Sequence, residues 1–469
     1  MTAAAPSSAV TEVMQRVWEQ IDRDFDRHLA AIQTYLRQPS VSKTGQGVEQ
    51  CARLTGELIE AAGGSAEIVS TPGHPAVLGR IQGDGPTLLR YGMYDVQPAE
   101  EPGWTTPPWA AERHDLPGVG PAIVARGAVN SKGALSAFLL ALTSARKVAD
   151  LPASVVMLCD GEEELGSPHL IDVVEERRAD LAADAAFDLD LTADATGTPE
   201  VYLGVKGILS YFLTCRGGEW GGPLERAAHS SGGVLIHSPA WSLVRALAAL
   251  VDGDERPSFE GLPEPVVPAS DEPLVDALAE MYDTDRAHHE FRTSRLKQND
   301  ARSIVRALLY EAALNVNGIE TGYPDGGKTI VPSSARAAID LRVPAGADLD
   351  ALDESIRRAI AAVAPEVEVV EDERCVPART PSNTPVARAM IDSHALEGHP
   401  ATVWPTAPWW APYYLFEQIL ELPFAVGGAG HGAGAHGLDE YASVEGLRQH
   451  MRQSIAFLFH FAEQTSNVG

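Results

Sequence analysis

The stretch TLLRYGMYDVQP, residues 87–98, decides the fold class of this chain. It opens with a short apolar run at residues 87–91 and continues into polar residues that include Asp95. Helical patterns such as residues 133–148 separate such runs along the chain. Alternating strands and helices are typical of layered α/β folds, so the sequence predicts an α/β protein. Similar apolar runs lie at residues 76–81, 154–159 and 187–193.

Acidic residues follow three of these predicted strands. Asp95 comes after the first, Glu163 and Glu164 after the next, and Asp194 after the last. Functional sites of open α/β sheets collect outside the carboxyl ends of the strands. Four acids in equivalent positions are therefore better explained as the lining of one acidic cleft than as unrelated, solvated loop residues.

Length and charge limit the class of protein. A chain of 469 residues is too long for one compact core and suggests two domains. The formal net charge of -29 at pH 7 argues against nucleic acid as a partner.

The four cysteines of the chain are scattered without ligand-like spacing, which favours a reduced, intracellular protein. No signal peptide is evident, and no apolar run approaches the roughly 20 residues that span a bilayer, so we expect a cytoplasmic protein without a membrane partner.

The periodicity places further elements along the chain. Residues 13–37 and 47–62 carry the spacing of amphipathic helices. After about residue 205 the pattern predicts strands and helices of a second layer. These are strands at residues 207–216, 329–331 and 335–343, the last two as a pair, a turn-rich loop at 229–239, and helices at 240–251 and 354–363.

Four motifs occur in a recognisable order: YGMYDVQP at residues 91–98, RGAVNSKG at 126–133, DGEEELGS at 160–167, and Ala435-His436. Together they resemble the co-catalytic zinc peptidase family that includes carnosinase-like dipeptidases, aminoacylases and glutamate carboxypeptidases. Residues 314–323 and 331–344 resemble the dipeptidase-like branch. The resemblance implies a catalytic domain interrupted by an α+β lid domain that usually dimerises. We therefore expect catalytic segments at residues 1–205 and 381–469, a lid at 206–380, and a homodimer formed through the lid.

The resemblance also implies roles for single residues of the catalytic domain. Asp95 matches the carboxylate that orients a metal ligand, and Glu163 matches the general base. Glu164 and His436 match the ligands of one metal ion, and Asp194 matches a ligand of the other. The flanking glycines of the acidic motif fix this register and leave its first glutamate, at residue 162, as a bystander.

Lid residues receive roles in the same way. His229 matches a lid histidine that reaches a neighbouring subunit's site, although the loop that carries His229 is one residue shorter than in the family. Asn317 and Arg342 match groups that grip the substrate. Trp409 and Trp410 replace a glycine-rich turn of the family. Their indoles either offer cation–π faces to the substrate or pack beneath a proline-rich loop.

Two metal-ligand positions of the family are substituted. Met93 stands where the family has a histidine, and Asn130 stands where an aspartate bridges two ions. A thioether is a poor ligand for zinc or manganese, and an amide brings no negative charge to offset the repulsion between two cations. The sequence thus predicts a degenerate centre with no metal or a single divalent ion, zinc or manganese, at Glu164 and His436, and none at Asp194.

Converging carboxylates without two metal ions cannot all ionise cheaply, so at least one pKa should rise and suit acid–base catalysis. We therefore predict a divergent dipeptidase- or deacylase-like enzyme acting at an amide or acyl carbon of a small amino-acid-derived substrate. Its reaction would be condensation, cyclisation, acyl transfer or residual hydrolysis, without the dinuclear centre. The alternatives are a mononuclear metal-dependent dipeptidase or amidohydrolase, and a non-catalytic ligand-binding homologue.

Overall fold

The structure is a computed structural model that describes residues 8–194, 196–323, 327–395, 400–407 and 409–466. The chain divides into two compact units. The first unit contains the chain up to Leu203, the segment Arg379–Pro405 and the chain from Ala411 onward. The second contains Gly204–Ala378 and the short segment Thr406–Trp410.

The first stretch of the first unit carries four helices and eight strands in its described residues. The helices are α1 (Ser8–Leu36), α2 (Val48–Ala61), α3 (Lys132–Ala145) and α4 (Leu170–Glu176). The strands are β1 (Ser65–Val69), β2 (Ala76–Ile81), β3 (Thr87–Met93), β4 (Glu112–Leu116), β5 (Gly120–Val124), β6 (Ser154–Asp160), β7 (Ala185–Leu189) and β8 (Glu200–Tyr202).

The middle of the chain forms the second unit, and its strands run from β9 to β16. They are β9 (Gly204–Val205), β10 (Gly207–Arg216), β11 (Ala228–His229), β12 (Ala313–Thr321), β13 (Ile330–Val331), β14 (Ser334–Val343), β15 (Val367–Cys375) and β16 (Ala378–Arg379), the last at the boundary. The helices are α5 (Pro239–Ala248), α6 (Glu272–Met281), α7 (Thr284–Glu290), α8 (Ala301–Tyr310) and α9 (Leu349–Val363).

The last part of the chain completes the first unit. Its elements are α10 (Pro385–Ala395), β17 (Thr402–Trp404), β18 (Phe424–Gly427), β19 (Gly432–Ala433), β20 (Tyr441–Ser443) and α11 (Val444–Ser466).

An eight-stranded sheet forms the centre of the first unit, in the order β1-β2-β6-β3-β7-β18-β8-β17. Its four middle strands β6, β3, β7 and β18 are parallel. β6 and β7 are buried along their whole length, as expected of parallel strands covered on both faces. The helices α1, α3, α10 and α11 pack against one another. Because the middle strands are parallel, their carboxyl ends reach the same edge of the sheet.

The second unit is built on an antiparallel sheet in the order β12-β14-β10-β15. Buried and half-exposed residues alternate along β10, so one face of this sheet carries the core. The helices α5 and α9 share that core with strands β10 and β14. This unit is therefore a two-layer α+β structure.

Most predicted elements are confirmed, including the α/β class and the strands at residues 76–81 and 207–216. Two predictions are wrong. The strand expected at residues 187–193 ends at Leu189, so a longer loop than expected leads to Asp194. The expected pairing of residues 329–331 with 335–343 does not occur, because both edges of β14 are taken by β10 and β12, and β13 pairs with β11 instead.

Two tryptophans expected in the second catalytic segment belong to the second unit. The backbone N–H of Lys206 donates to the carbonyl of Ala407 at 3.2 Å, and the N–H of Ala407 donates to Gly204 at 2.7 Å. These bonds hold the segment that carries Trp409 and Trp410 to the start of the unit. No helix in the described ranges combines the length and the apolar character needed to cross a bilayer.

Candidate active site

The acidic turn after β6 is tied to the end of β3. These strands are parallel neighbours, and Met93 at the end of β3 lies opposite Asp160 at the end of β6. Two residues beyond Met93, the buried carboxylate of Asp95 accepts hydrogen bonds from the backbone N–H groups of Glu163 and Glu164, each at 3.1 Å. The position of both glutamates is thus fixed by one carboxylate from the neighbouring strand.

Burial and like charge perturb the acids of this turn. Burial, followed by the nearby charge of Asp160, raises the pKa of Asp95. Burial, followed by the charges of Asp95 and Glu164, raises the pKa of Glu163. Within the described part of the chain, no group donates a hydrogen bond to the Glu163 carboxyl. The rise agrees with the expectation for converging acids, and a raised pKa is typical of a carboxyl that takes up and releases a proton during catalysis.

Glu162 occupies a different environment from its two neighbours. Its side chain is buried and pairs with His169 Nδ1 at 2.7 Å, just before α4. Its own N–H donates to Asp160 Oδ1 at 2.9 Å. The Glu162 carboxylate is therefore engaged by His169, whereas Glu163 and Glu164 are held by Asp95.

Glu164 and His436 lie together, and Asn130 joins them. The side chain of Glu164 is only 4% exposed, and its Oε2 is 3.1 Å from His436 Nε2. The amide nitrogen of Asn130 lies 2.8 Å from Glu164 Oε1 and 3.0 Å from His436 Nε2. Gln97 adds a hydrogen bond to Glu164 Oε2 at 2.7 Å. His436 has a φ of 61°, a backbone conformation that residues other than glycine seldom adopt and that tends to occur at functional sites.

A buried glutamate holds the loop that carries Asn130. Glu440 accepts hydrogen bonds from the backbone N–H groups of Gly127, Val129 and Asn130 at 2.9–3.0 Å. It also pairs with Arg126 at 2.9 Å. Glu440 was not predicted from the sequence. Its position four residues after His436 was the one available signal, and nothing in the local sequence shows that its partners are more than 300 residues away.

The residues present do not fit a centre of two metal ions. Met93, 5% exposed, offers only a thioether, and Asn130 carries no charge. Asp194 Oδ1 already accepts three hydrogen bonds, from Thr196 N, Thr196 Oγ1 and Thr198 N, at 2.7–3.0 Å. Among the described residues, no three His, Cys, Asp or Glu side chains come together as a metal site. A single ion fits better, because the 3.1 Å between Glu164 and His436 suits two ligands that each lie about 2.0–2.2 Å from one cation.

A second acidic group, also missed from the sequence, lies at the end of β7. Asp188 forms a buried ion pair with Arg90 and accepts a hydrogen bond from the Tyr413 hydroxyl at 2.8 Å. Burial, followed by the charge of Asp188, raises the pKa of Asp190 to about 8. The alternating acids of FDLDLTAD were the available signal, but alternation alone does not show which of them are buried.

The predicted lid residues belong to the second unit. His229 is exposed, and its Nδ1 accepts the N–H of Ser231 at 3.2 Å. Arg342 Nε donates to Asp340 at 3.2 Å. Asn317 is exposed at the bulge where β12 shifts its register against β14. All three keep polar atoms at the surface of this unit.

The two tryptophans differ in their surroundings. The indole N–H of Trp410 donates to the carbonyl of Val376 at 3.1 Å, and its ring is partly buried. Trp409 is 36% exposed. Trp410 therefore has a packing role within the second unit, and a cation–π face remains a prediction for Trp409.

Comparison with known proteins gives a consistent relationship. Residues 90–464 match the family model described as peptidase family M20/M25/M40. The Beta-Ala-His dipeptidase of Homo sapiens is 27% identical over 303 residues, which cover 62% of this chain and 56% of that protein. The Cys-Gly metallodipeptidase DUG1 of Candida albicans is 26% identical over 294 residues, which cover 60% of this chain and 58% of that protein. The chain thus spans little more than half the length of these curated relatives.

Solved structures extend the similarity over nearly the whole chain. The M20 family metallo-carboxypeptidase Sso-CP2 from Sulfolobus solfataricus is 29% identical with a TM-score of 0.82, covering 93% of this chain and 99% of that one. Human carnosine dipeptidase 1 has a TM-score of 0.73 at 20% identity, covering 98% of this chain and 100% of that one, a likeness of fold alone.

Proposed function

Because this chain belongs to peptidase family M20/M25/M40, we propose that it hydrolyses an amide bond of a small, dipeptide-like substrate in a site that holds at most one divalent ion. The observation that carries the proposal is the distance of 3.1 Å between Glu164 and His436. Glu163 precedes Glu164 in the same turn, and burial raises the pKa of Glu163. The printed names of the similar proteins, two dipeptidases and a metallo-carboxypeptidase, support a peptidase-type reaction.

The residues of the first unit divide the chemistry between them. Glu163 takes the proton of the attacking water and later delivers it to the leaving amine, as a general acid–base. Asp95 keeps Glu163 in place through the backbone of the acidic turn. Glu164 and His436 would hold a zinc or manganese ion, which when bound supplies Lewis acidity for a water or a carbonyl oxygen.

The second unit supplies the remaining proposed roles. Arg342 and Asn317 bind the carboxylate and a polar group of an amino-acid-derived substrate, and His229 donates to developing oxyanion charge. Trp409 lines the substrate's other side, and Trp410 supports it by packing within the second unit. The residue roles are inferred from the motifs of the family, and the exposed polar groups of these lid residues support them. We further propose that the protein is a cytoplasmic homodimer.

A substrate panel tests the proposal directly. The purified protein, in chelator and after addition of Zn²⁺ or Mn²⁺, is given β-alanyl-histidine, cysteinyl-glycine and N-acyl amino acids, and free amine is measured. We expect release of amine from at least one of them. No release under any condition, together with thermal stabilisation by the same compounds, would instead favour a non-catalytic ligand-binding protein.

A second candidate is acyl chemistry without a metal ion: condensation, cyclisation or acyl transfer. Asn130 favours it, because its amide already hydrogen-bonds both Glu164 and His436. Mass spectrometry of the same panel, with amines added as acceptors, separates the two candidates. Hydrolysis adds the mass of water to the substrate, whereas acyl transfer joins the acyl group to the acceptor.

A further inference from the structure

Lys206, one residue before β10, is a buried lysine with only 6% of its surface exposed. Its Nζ donates a hydrogen bond to the backbone carbonyl of Glu311 at 2.8 Å. Within the described ranges, no carboxylate forms an ion pair with this ammonium group. Buried charges are ordinarily paired with a group of opposite charge, because their transfer out of water is costly. The charge of Lys206 is therefore not balanced at short range by any side chain that the structure describes.

The register of the second unit's sheet places Lys206 close to Arg342. On β14, Arg342 lies between Ile208 of β10 and Ala313 of β12. Lys206 precedes Ile208 by two residues, and Glu311 precedes Ala313 by two residues. The hydrogen bond from Lys206 to Glu311 therefore passes across the end of β14, just beyond Arg342.

The two cations act on each other electrostatically. Burial lowers the pKa of Lys206 to about 8, and the charge of Glu311 opposes this change whereas the charge of Arg342 adds to it. The Glu311 carboxylate itself faces Arg306, with 3.7 Å between Arg306 Nη1 and Glu311 Oε1. A buried ammonium group beside an arginine has a higher free energy than one in water, and an anion that contacts both cations would lower that free energy.

Arg342 keeps donors available for a ligand. Its side chain is 37% exposed, and its Nε donates to Asp340 Oδ1 at 3.2 Å. The same oxygen of Asp340 accepts the side-chain amide of Asn315 at 3.3 Å. The two terminal nitrogens of Arg342 donate to no residue in the described part of the chain. Asp340 thus holds one edge of the guanidinium group, and the other edge can bind a carboxylate.

A purely structural role is the alternative for Lys206. Its bond to the Glu311 carbonyl joins the chain at the start of β10 to the chain before β12, and these two strands flank β14. A neutral donor such as a glutamine amide would form the same kind of bond without the cost of burying a charge. The structural role therefore does not explain why the group is charged.

We propose that Lys206 and Arg342 together bind the carboxylate of the substrate, with Arg342 on its exposed side and Lys206 on its buried side. Arg342 supplies its terminal N–H groups, and Lys206 supplies the ammonium hydrogens that the Glu311 carbonyl leaves unused. Two cations discriminate against ligands without a carboxylate more strongly than Arg342 alone, which makes Lys206 a specificity-determining residue. This inference rests on the proposed function for the role of Arg342, but it is tested through binding rather than turnover.

Two ligands without a scissile peptide bond test the proposal. Both are β-alanyl-histidine with the peptide carbonyl reduced to methylene; the acid ligand keeps the terminal carboxylate, and the amide ligand has a carboxamide in its place. In calorimetric titration of the full chain in chelator, the wild type should bind the acid ligand at least about tenfold more tightly than the amide ligand. Lys206→Met and Lys206→Gln should each weaken binding of the acid ligand by about tenfold or more and leave the affinity for the amide ligand unchanged. Lys206→Arg keeps the charge and should keep most of the preference for the acid.

Lys297→Met is the matched control, because Lys297 is an exposed lysine of the same unit whose Nζ lies 3.1 Å from Glu255. It removes the same charge and should leave both affinities at their wild-type values. Thermal melting checks the fold of each variant, and Lys206→Gln retains a donor for Glu311 that Lys206→Met removes. Equal affinity of the wild type for the two ligands, or a folded Lys206→Gln variant that keeps the wild-type preference for the acid, would overturn the inference. Failure to release amine from the substrate panel would contradict the proposed hydrolysis and leave these affinities unchanged, so the two proposals are distinguished.

Discussion

At the scale of single residues, burial raises the pKa of Glu163, and its side-chain carboxyl accepts no hydrogen bond from the described residues. If it transfers the proton, Glu163→Gln should lower kcat by about 10²–10⁴-fold while the fold survives. Glu162→Gln is the matched control, because Glu162 pairs with His169, and its rate should stay within a few-fold of the wild type. A rate that falls only in Glu162→Gln would show that the register of the motif is wrong.

Asp190 makes stability depend on pH. Burial raises its pKa from 3.8 to about 8, so the folded state binds a proton more tightly than the unfolded state. The stability that this proton contributes is complete below about pH 4 and is lost as pH rises through 8. Asp190→Asn should therefore flatten the fall of the thermal midpoint between pH 5 and 8. Asp172→Asn, exposed on α4, should leave the wild-type slope unchanged.

The residues of the acidic turn could be predicted from the sequence because a local motif sets them in one register at the end of a strand. The interpretation of Asn130 and Met93 as substituted ligand positions rests on motifs of the same kind and stays a prediction. What Asn130 does instead of an aspartate could not be predicted. That depends on the distance between Glu164 and His436, residues separated by more than 270 positions, and only the folded chain sets it.

At the scale of elements, the loop before α3 depends on one buried ion pair. Arg126 and Glu440 are almost fully buried, at 1% and 0% exposed side chain. Removing one partner of a buried pair typically costs about 3–5 kcal/mol, because the other charge is left uncompensated. We expect Glu440→Ala to lower the free energy of unfolding by about that amount in denaturant titrations.

A control for this change uses the other acid that contacts Arg126. Glu101 lies 3.2 Å from Arg126, but its side chain is 39% exposed. Exposed pairs contribute about 0–1 kcal/mol, so Glu101→Ala should have a small effect. Similar losses in both variants would contradict the special role given to Glu440.

The boundaries of strands such as β2 and β6 followed from apolar runs, because a buried strand needs such a run in its own sequence. Strand pairing did not. Residues 329–331 and 335–343 are close in sequence, yet β14 has both edges occupied by strands from elsewhere in the second unit. Pairing is decided by which edges remain open, and that information lies outside the segment.

At the scale of the whole molecule, one outer strand of the second unit is a candidate contact surface for the proposed homodimer. β12 is an outer strand of the four-stranded sheet, and Val316 and Ile319 on it are 46% and 57% exposed. Apolar side chains on an open strand edge invite pairing with a second copy. Ile319→Asp should convert the dimer to a monomer in light scattering.

The opposite edge of the same sheet provides the control. Val370 on β15 is 47% exposed, so Val370→Asp introduces the same charge on an equally exposed outer strand. The dimer should persist in this variant. If the wild-type chain is a monomer at all concentrations, the homodimer proposal is wrong.

The strand order of the first unit has a consequence for synthesis of the chain. β18, near the end of the sequence, lies between β7 and β8, which precede the whole second unit. On the ribosome, β7 and β8 therefore emerge long before the strand that joins them, and their facing edges stay unpaired meanwhile. The second unit, nearly continuous in sequence, can complete its sheet first. Open edges of this kind invite wrong pairing, so translation leaves the first unit exposed to aggregation or chaperone binding until β18 emerges.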